Sequence, residues 1–170
     1  MARPEVGDEV TADLLDDLTY KPMTQLEGQS NTNLTSGNNI AVPFSAGSEV
    51  YDDEGWHDTT TNNTRITPTI DGRYRVSGRG VLTANLNCTA VATLIQKNGA
   101  TVAATGNHKP NGTNNIALMA PFLETWLDMN GTTDYVELIL NQTSAAAATQ
   151  TTNNTASGRS TLIVQLDRRT

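Results

Sequence analysis

Three observations in the 170-residue sequence predict an all-β chain folded as an antiparallel sandwich. Charged residues make up only 17% and hydrophobic ones 36%, and Thr, Asn, Ala and Gly fill much of the rest, a balance suited to strands and polar turns. Apolar and polar residues alternate over long stretches: Tyr74, Val76 and Leu82 against Arg73, Arg75, Ser77 and Thr83; Val136, Leu138 and Leu140 against Tyr135, Glu137 and Asn141; Leu162, Val164 and Leu166 against Thr161, Ile163 and Gln165. A period of two places each apolar row on one sheet face, where it has to be covered. Asn98-Gly99, Asn111-Gly112 and Asn130-Gly131 punctuate these runs, and Asn-Gly between alternating segments is the strongest short hairpin signal.

Residues 1–22 stand apart from this pattern. Asp8 is placed to cap a short helix on which Val10, Leu14 and Leu18 recur at i, i+4 and i+8 with Leu15 beside them, while Asp13, Asp16 and Asp17 take the other face and Pro22 ends it. A helix of about three turns does not persist alone in water, so this one needs the parent domain, a neighbouring subunit or a larger particle to lie against.

From Met23 the helical period disappears. β-prone runs cover 23–26, 39–44, 49–51, 65–70, 73–83, 89–96, 100–105, 116–128, 134–141 and 160–167, so residues 23–170 read as one sandwich or jelly roll of about eight to ten strands. Ile66–Ser77 is its organising stretch: a β-prone segment broken by Pro68, a tight turn at Asp71-Gly72, then the alternating strand. The final run is expected to be an internal strand. Thr143–Gly158 reads as a long polar loop, and Thr143, Gln150, Asn153 and Asn154 are its candidates for contact with a receptor or glycan.

The chemistry implied is sparse. A net charge of −7 and a pI near 4.6 oppose the basic footprint needed to neutralise phosphates, so no nucleic-acid partner is expected. Cys88 is the only cysteine, which excludes an internal disulfide. The first residues contain no apolar signal core, and no run approaches a membrane span, so the expectation is a chain made in the cytoplasm with no membrane partner. His57 and His108 are the only histidines, and no nucleophile, metal or phosphate-loop motif accompanies them. No enzyme activity and no cofactor are assigned. Two oxygen-rich clusters, Asp52, Asp53, Glu54 and Asp58, and Asp128, Asn130 and Asp134, have calcium-type chemistry, but neither matches the twelve-residue calcium loop, and a solvated loop and a hairpin turn are expected instead. Arg73, Arg75 and Arg79 alternate along one strand face, as on a solvated or subunit-interface surface.

Trp56-His57-Asp58, Ile66-Thr67-Pro68, Gly72-Arg73-Tyr74-Arg75-Val76 and Leu94-Ile95-Gln96-Lys97-Asn98-Gly99 together resemble the globular head of complement and its tumour-necrosis-factor-like relatives, over roughly residues 40–167. Leu127–Leu138 is similar to the family's Leu-x-x-Gly-Asp-x-Val pattern, with two threonines between Gly131 and Asp134. Ser157-Gly158-Arg159-Ser160-Thr161-Leu162 replaces the usual aromatic-Gly-aromatic ending. The resemblance implies a jelly roll that assembles as a homotrimer. The run from Gly7 to Leu18 resembles the opening of small virion proteins of tailed phages that infect actinobacteria. Together the two imply a capsid decoration, or minor capsid, protein on the surface of the phage head. It would dock on the major capsid protein through Val10, Leu14, Leu15 and Leu18, with Asp13, Asp16 and Asp17 pairing to basic groups on the shell. The alternative is a minor tail or fibre protein whose jelly-roll loops bind host-surface glycan.

Overall fold

A computed structural model describes residues 19–28, 33–35, 37–84, 88–105, 116–119, 122–144, 149–152, 154–155 and 158–170. Every named element among them is a strand, and every pairing is antiparallel.

One five-stranded sheet contains β1 (Met23–Glu27), β4 (Glu49–Asp52), β6 (Asp71–Arg79), β11 (Leu123–Asn130) and β16 (Thr161–Arg169), in the spatial order β11-β6-β16-β1-β4. The last strand of the chain is therefore internal, as its apolar row requires. The second sheet contains β3 (Asn39–Ala41), β8 (Cys88–Lys97), β9 (Ala100–Ala104) and β12 (Val136–Ser144), ordered β3-β12-β8-β9, and β5 (Arg65–Ile66) shares with β3 the free side of β12. A smaller sheet joins β2 (Asn33–Thr35), β7 (Val81–Ala84), β10 (Ile116–Met119) and β13 (Thr149–Thr152) in the order β10-β7-β13-β2, and β14 (Asn154–Thr155) pairs β15 (Gly158–Arg159).

The two large sheets close on one core. Leu26, Tyr74, Val76, Leu162 and Val164 from the first face Val91, Ile95, Val136, Leu138 and Leu140 from the second, all at most 1% exposed. Burial of that many aliphatic and aromatic side chains is the main stabilising term available to a chain without disulfides. Glycines at the end of β6 and just beyond it allow close approach of the second sheet. A Cβ on Gly78 would lie 3.0 Å from Leu138 Cδ1, and one on Gly80 would overlap Leu140 Cδ2.

Several boundaries differ from the sequence expectation, each for a local reason. Asp71-Gly72 is the start of β6 and not a turn: Gly72 pairs with Arg169, and a Cβ there would meet the backbone carbonyl of Arg168. The glycine serves close strand approach. The predicted run 73–83 is cut at Gly80, whose N–H leaves the ladder to donate to Thr93 Oγ1 (3.0 Å), while Val81 N–H donates to Ser160 Oγ (2.9 Å). Pro68 has no N–H to offer, and β5 stops at Ile66. The predicted loop 143–158 contains strand: Thr143 ends in β12, Gln150 lies in β13 and Asn154 in β14. Its β-branched threonines satisfy their backbone by pairing with β2 and β7.

Asn98-Gly99 is the expected hairpin turn, whereas Asn130-Gly131 is a turn but not a hairpin, because it carries the chain from β11 in the first sheet to β12 in the second. Asn98 and Gly99 both adopt positive φ, 52° and 78°, between β8 and β9, and Gly131 follows Asn130 with φ 65°. Asn111-Gly112 lies outside the described residues, as does the expected helix at residues 8–18.

Candidate functional site

The outward face of the first sheet is assembled from residues far apart in sequence. Alternation along β6 points Arg73, Arg75, Ser77 and Arg79 away from the core, and the register sets Trp126 opposite Arg75 and Asp128 opposite Arg73. On the other side of β6 the same register sets Ile163 and Gln165 beside Ser77 and Arg75. Trp126 is 44% exposed, Tyr51 on edge strand β4 54%, and Phe122 at the entry to β11 56%. Arg75 forks onto Glu124, its Nε 2.8 Å from Oε2, and this pair holds the guanidinium further above its ordinary range. The guanidinium of Arg73 lies 5.9 Å from the Trp126 ring centroid. Two shallow clefts open on this face, one of about 200 Å³ between Arg75, Phe122, Ile163 and Gln165, the other of about 260 Å³ between Arg73, Trp126, Asp167 and Arg168.

The two acidic clusters are occupied by the protein itself. Asp52 accepts the Thr24 hydroxyl (2.7 Å) and the backbone N–H groups of Trp56 (2.8 Å) and His57 (3.1 Å); Asp53 accepts Met23 N–H (2.9 Å), and Glu54 accepts the Tyr20 hydroxyl (2.6 Å). That last bond is the main reason the Tyr20 phenol is pushed up to about 12. In the second cluster Asn130 Oδ1 collects the N–H groups of Thr132, Thr133 and Asp134. Asp134 receives Lys97 Nζ (2.8 Å), Asn98 Nδ2 (2.7 Å) and Asn130 N–H (3.0 Å). Burial works to raise the Asp134 carboxyl, but these donors outweigh it and leave it below its ordinary value. Among the described residues no three His, Cys, Asp or Glu side chains come together as a metal set.

His57 is held inside the fold. Its side chain is fully buried, Nδ1 lies 2.8 Å from Glu49 Oε1, Nε2 lies 3.3 Å from the Asn63 carbonyl, and the ring meets Phe44 edge-on. It ties β4 to the following loop. That loop encloses a cavity of about 300 Å³ whose lining includes Trp56, Asp58, Thr61, Asn62, Arg65 and Thr67. Sequence reading missed this site because Thr61, Asn62 and Thr67 look like ordinary loop composition; the one usable signal was Trp56 within a run of polar residues.

Of the other sequence candidates, Val10, Asp13, Leu14, Leu15, Asp16, Asp17, Leu18, His108 and Asn153 lie outside the described residues. Among the described residues no helix is long and apolar enough to cross a membrane.

The sheet order and the shared core define the class of fold, an antiparallel jelly-roll sandwich. No family model and no curated protein sequence matches the chain. Solved structures do. The globular domain of zebrafish complement 1qA superposes with a TM-score of 0.57 at 9% identity, covering 88% of this chain and 99% of that one. Murine APRIL at pH 5.0 superposes with a TM-score of 0.60 at 8% identity, covering 86% and 99%. The fold is therefore of the tumour-necrosis-factor and complement-head type.

Proposed function

We propose that the chain is a non-enzymatic structural protein that self-associates as a homotrimer through the outward face of the β11-β6-β16-β1-β4 sheet and decorates a phage head. The observation that carries the self-association reading is that face: Trp126 and Phe122 stand out from it near Arg73 and Arg75, and Tyr51 is exposed at its opposite edge on β4. Aromatic side chains and arginine are what interface centres are enriched in. The trimer is what the resemblance to the tumour-necrosis-factor and complement-head fold implies, and it is consistent with the likeness to complement 1qA and APRIL. The head-surface role rests on the acidic, apolar-striped opening of the sequence, with Val10, Leu14, Leu15 and Leu18 as the docking stripe, Asp13, Asp16 and Asp17 pairing to basic groups, and the major capsid protein as partner. Localisation on the virion follows from that role.

Two measurements on the whole chain separate the parts of this reading. Light scattering on an 18.2 kDa chain should return the mass of three copies, and Trp126→Glu should return that of one with an unchanged circular-dichroism spectrum. A wild-type monomer at all concentrations refutes the trimer. Leu14→Asp combined with Leu18→Asp should leave the assembly intact but abolish co-sedimentation with undecorated heads; retained binding removes the docking assignment.

A further inference from the structure

The cavity under the segment that joins β4 to β5 shares no lining residue with the sheet face described above. Its walls are fixed by the backbone. Asp58 Oδ1 accepts the N–H groups of Thr60 (2.8 Å) and Thr61 (3.0 Å) and the Thr60 hydroxyl (2.7 Å), and Arg65 N–H donates to the Asn62 carbonyl (2.9 Å). Asn63 O receives Phe44 N–H (2.7 Å), and Trp56 O receives Thr67 N–H (2.8 Å). The buried Trp56 indole is oriented by an edge contact with Tyr74 and by Nε1–H donating to Thr69 Oγ1 (3.1 Å). Such a loop does not need to order itself when something binds, which lowers the entropic cost of association.

Several polar side chains of the lining, solvent-exposed at Thr61 and Asn62, are not engaged by the fold. The hydroxyls of Thr61 and Thr67 and the Asn62 amide make no hydrogen bond among the described residues, although the backbone of all three is engaged. Asn62 also holds φ at 58°, in the left-handed region that only Gly enters freely. The Arg65 charge is paired within the fold: its Nε lies 3.3 Å from Glu137 Oε1, and its guanidinium lies 4.0 Å from the centre of the Tyr135 ring. Asp58 is left as the one carboxylate of the lining, and its hydrogen bonds from Thr61 and Thr60 hold it below its ordinary value.

We infer that this cavity is a binding site for a neutral, polyhydroxylated ligand, a single sugar ring. Hydroxyls and an amide can each donate and accept, as sugar hydroxyls do, and Asp58 adds an acceptor with a second oxygen to spare. Trp56 lines the cavity at only 3% exposure, so it contributes a small apolar floor and the polar side chains carry the recognition. A carboxylate on the rim and the absence of an uncommitted cation disfavour an anionic ligand. The inference depends on neither the trimer nor the virion reading, since the pocket is complete within one chain.

The test uses the intact chain and saturation-transfer NMR with glucose, galactose, mannose and N-acetylglucosamine, followed by titration calorimetry on the best binder. At least one sugar should receive saturation. Asn62→Gly keeps the left-handed backbone while removing the amide and should weaken binding about tenfold; Thr67→Val, nearly isosteric, should weaken it about threefold to tenfold. Retention of the methyl glycoside identifies the terminal unit of a glycan as the source, and its rejection a free sugar; both support the site. Absence of saturation for all four sugars, wild-type affinity in both variants, or a preference for glucuronate over glucose overturns it.

Discussion

Tyr74→Phe removes one oxygen from the centre of the fold and leaves the packing otherwise unchanged. The Tyr74 ring is fully buried, packs edge-on against Trp56 at 5.6 Å, and donates its hydroxyl proton to the Ile70 carbonyl at 2.6 Å. Losing a neutral hydrogen bond while leaving a half-buried carbonyl unpaired costs about 1–2 kcal/mol. For a domain of this size that is roughly 2–8 °C in melting temperature. Burial, with some help from Asp71, raises the Tyr74 phenol above its ordinary value of 10. A group whose folded pKa lies above its unfolded one contributes stability that is complete below the unfolded value and is lost as pH rises toward the folded one. Above pH 10 the wild type therefore loses about 1.4 kcal/mol per pH unit through this residue, and the phenylalanine variant loses none of it. Urea unfolding followed by circular dichroism should show the wild type ahead at pH 7 and the two proteins level near pH 11. Equal stability at pH 7 would mean that the hydrogen bond contributes nothing. A gap that widens with pH would falsify the burial argument.

Two further perturbations probe other parts of the fold. Asp134→Asn should cost about 1–3 kcal/mol at neutral pH by unpairing Lys97 in the β8–β9 and β11–β12 turns. Because the folded carboxyl lies below its unfolded value, its contribution is present above the unfolded pKa and lost as pH falls through the folded one, so the variant should show a flatter acid limb in melts taken from pH 6 down to pH 3. Gly80→Ala forces a methyl against Leu140 and Thr93 and should cost about 1–3 kcal/mol, read as a lower urea midpoint with an unchanged slope.

Much of the sandwich was legible because the strand period writes burial directly into the sequence. Tyr74, Val76, Leu138, Leu140, Leu162 and Val164 are all fully buried, as their alternation required. Where reading failed, the residue had two uses that look alike in one dimension. Gly72 looks like a turn glycine and is one of close approach, a distinction set by Arg168, almost a hundred positions away in the chain. Threonines from 149 to 152 look like a polar linker and form a strand because β2 and β7 offer them ladders. The cavity was legible only as Trp56 set in a polar run: Trp56, Asn62 and Thr67 become neighbours of one space through the His57–Ile66 bridge that folds the segment back on itself.

The acidic residues raise the same ambiguity at the level of function. Clustered oxygens such as those of Asp52, Asp53 and Asp58 suit a cation equally well, but a loop between strands also leaves backbone N–H groups with no ladder to join. In this chain the second demand is the one met: Asp52 takes the N–H groups of Trp56 and His57, Asp53 that of Met23, Asp58 those of Thr60 and Thr61, and Asp134 that of Asn130. These carboxylates replace missing ladder bonds with charge-assisted ones, which are stronger than neutral bonds but exist only while the acid is ionised. Both Asp58 and Asp134 sit below their ordinary values, so acid reaches these turns after the unfolded chain has begun to bind protons. Acid unfolding is therefore expected to start in the loops around 52–64 and 130–134 and to enter the sheets only afterwards.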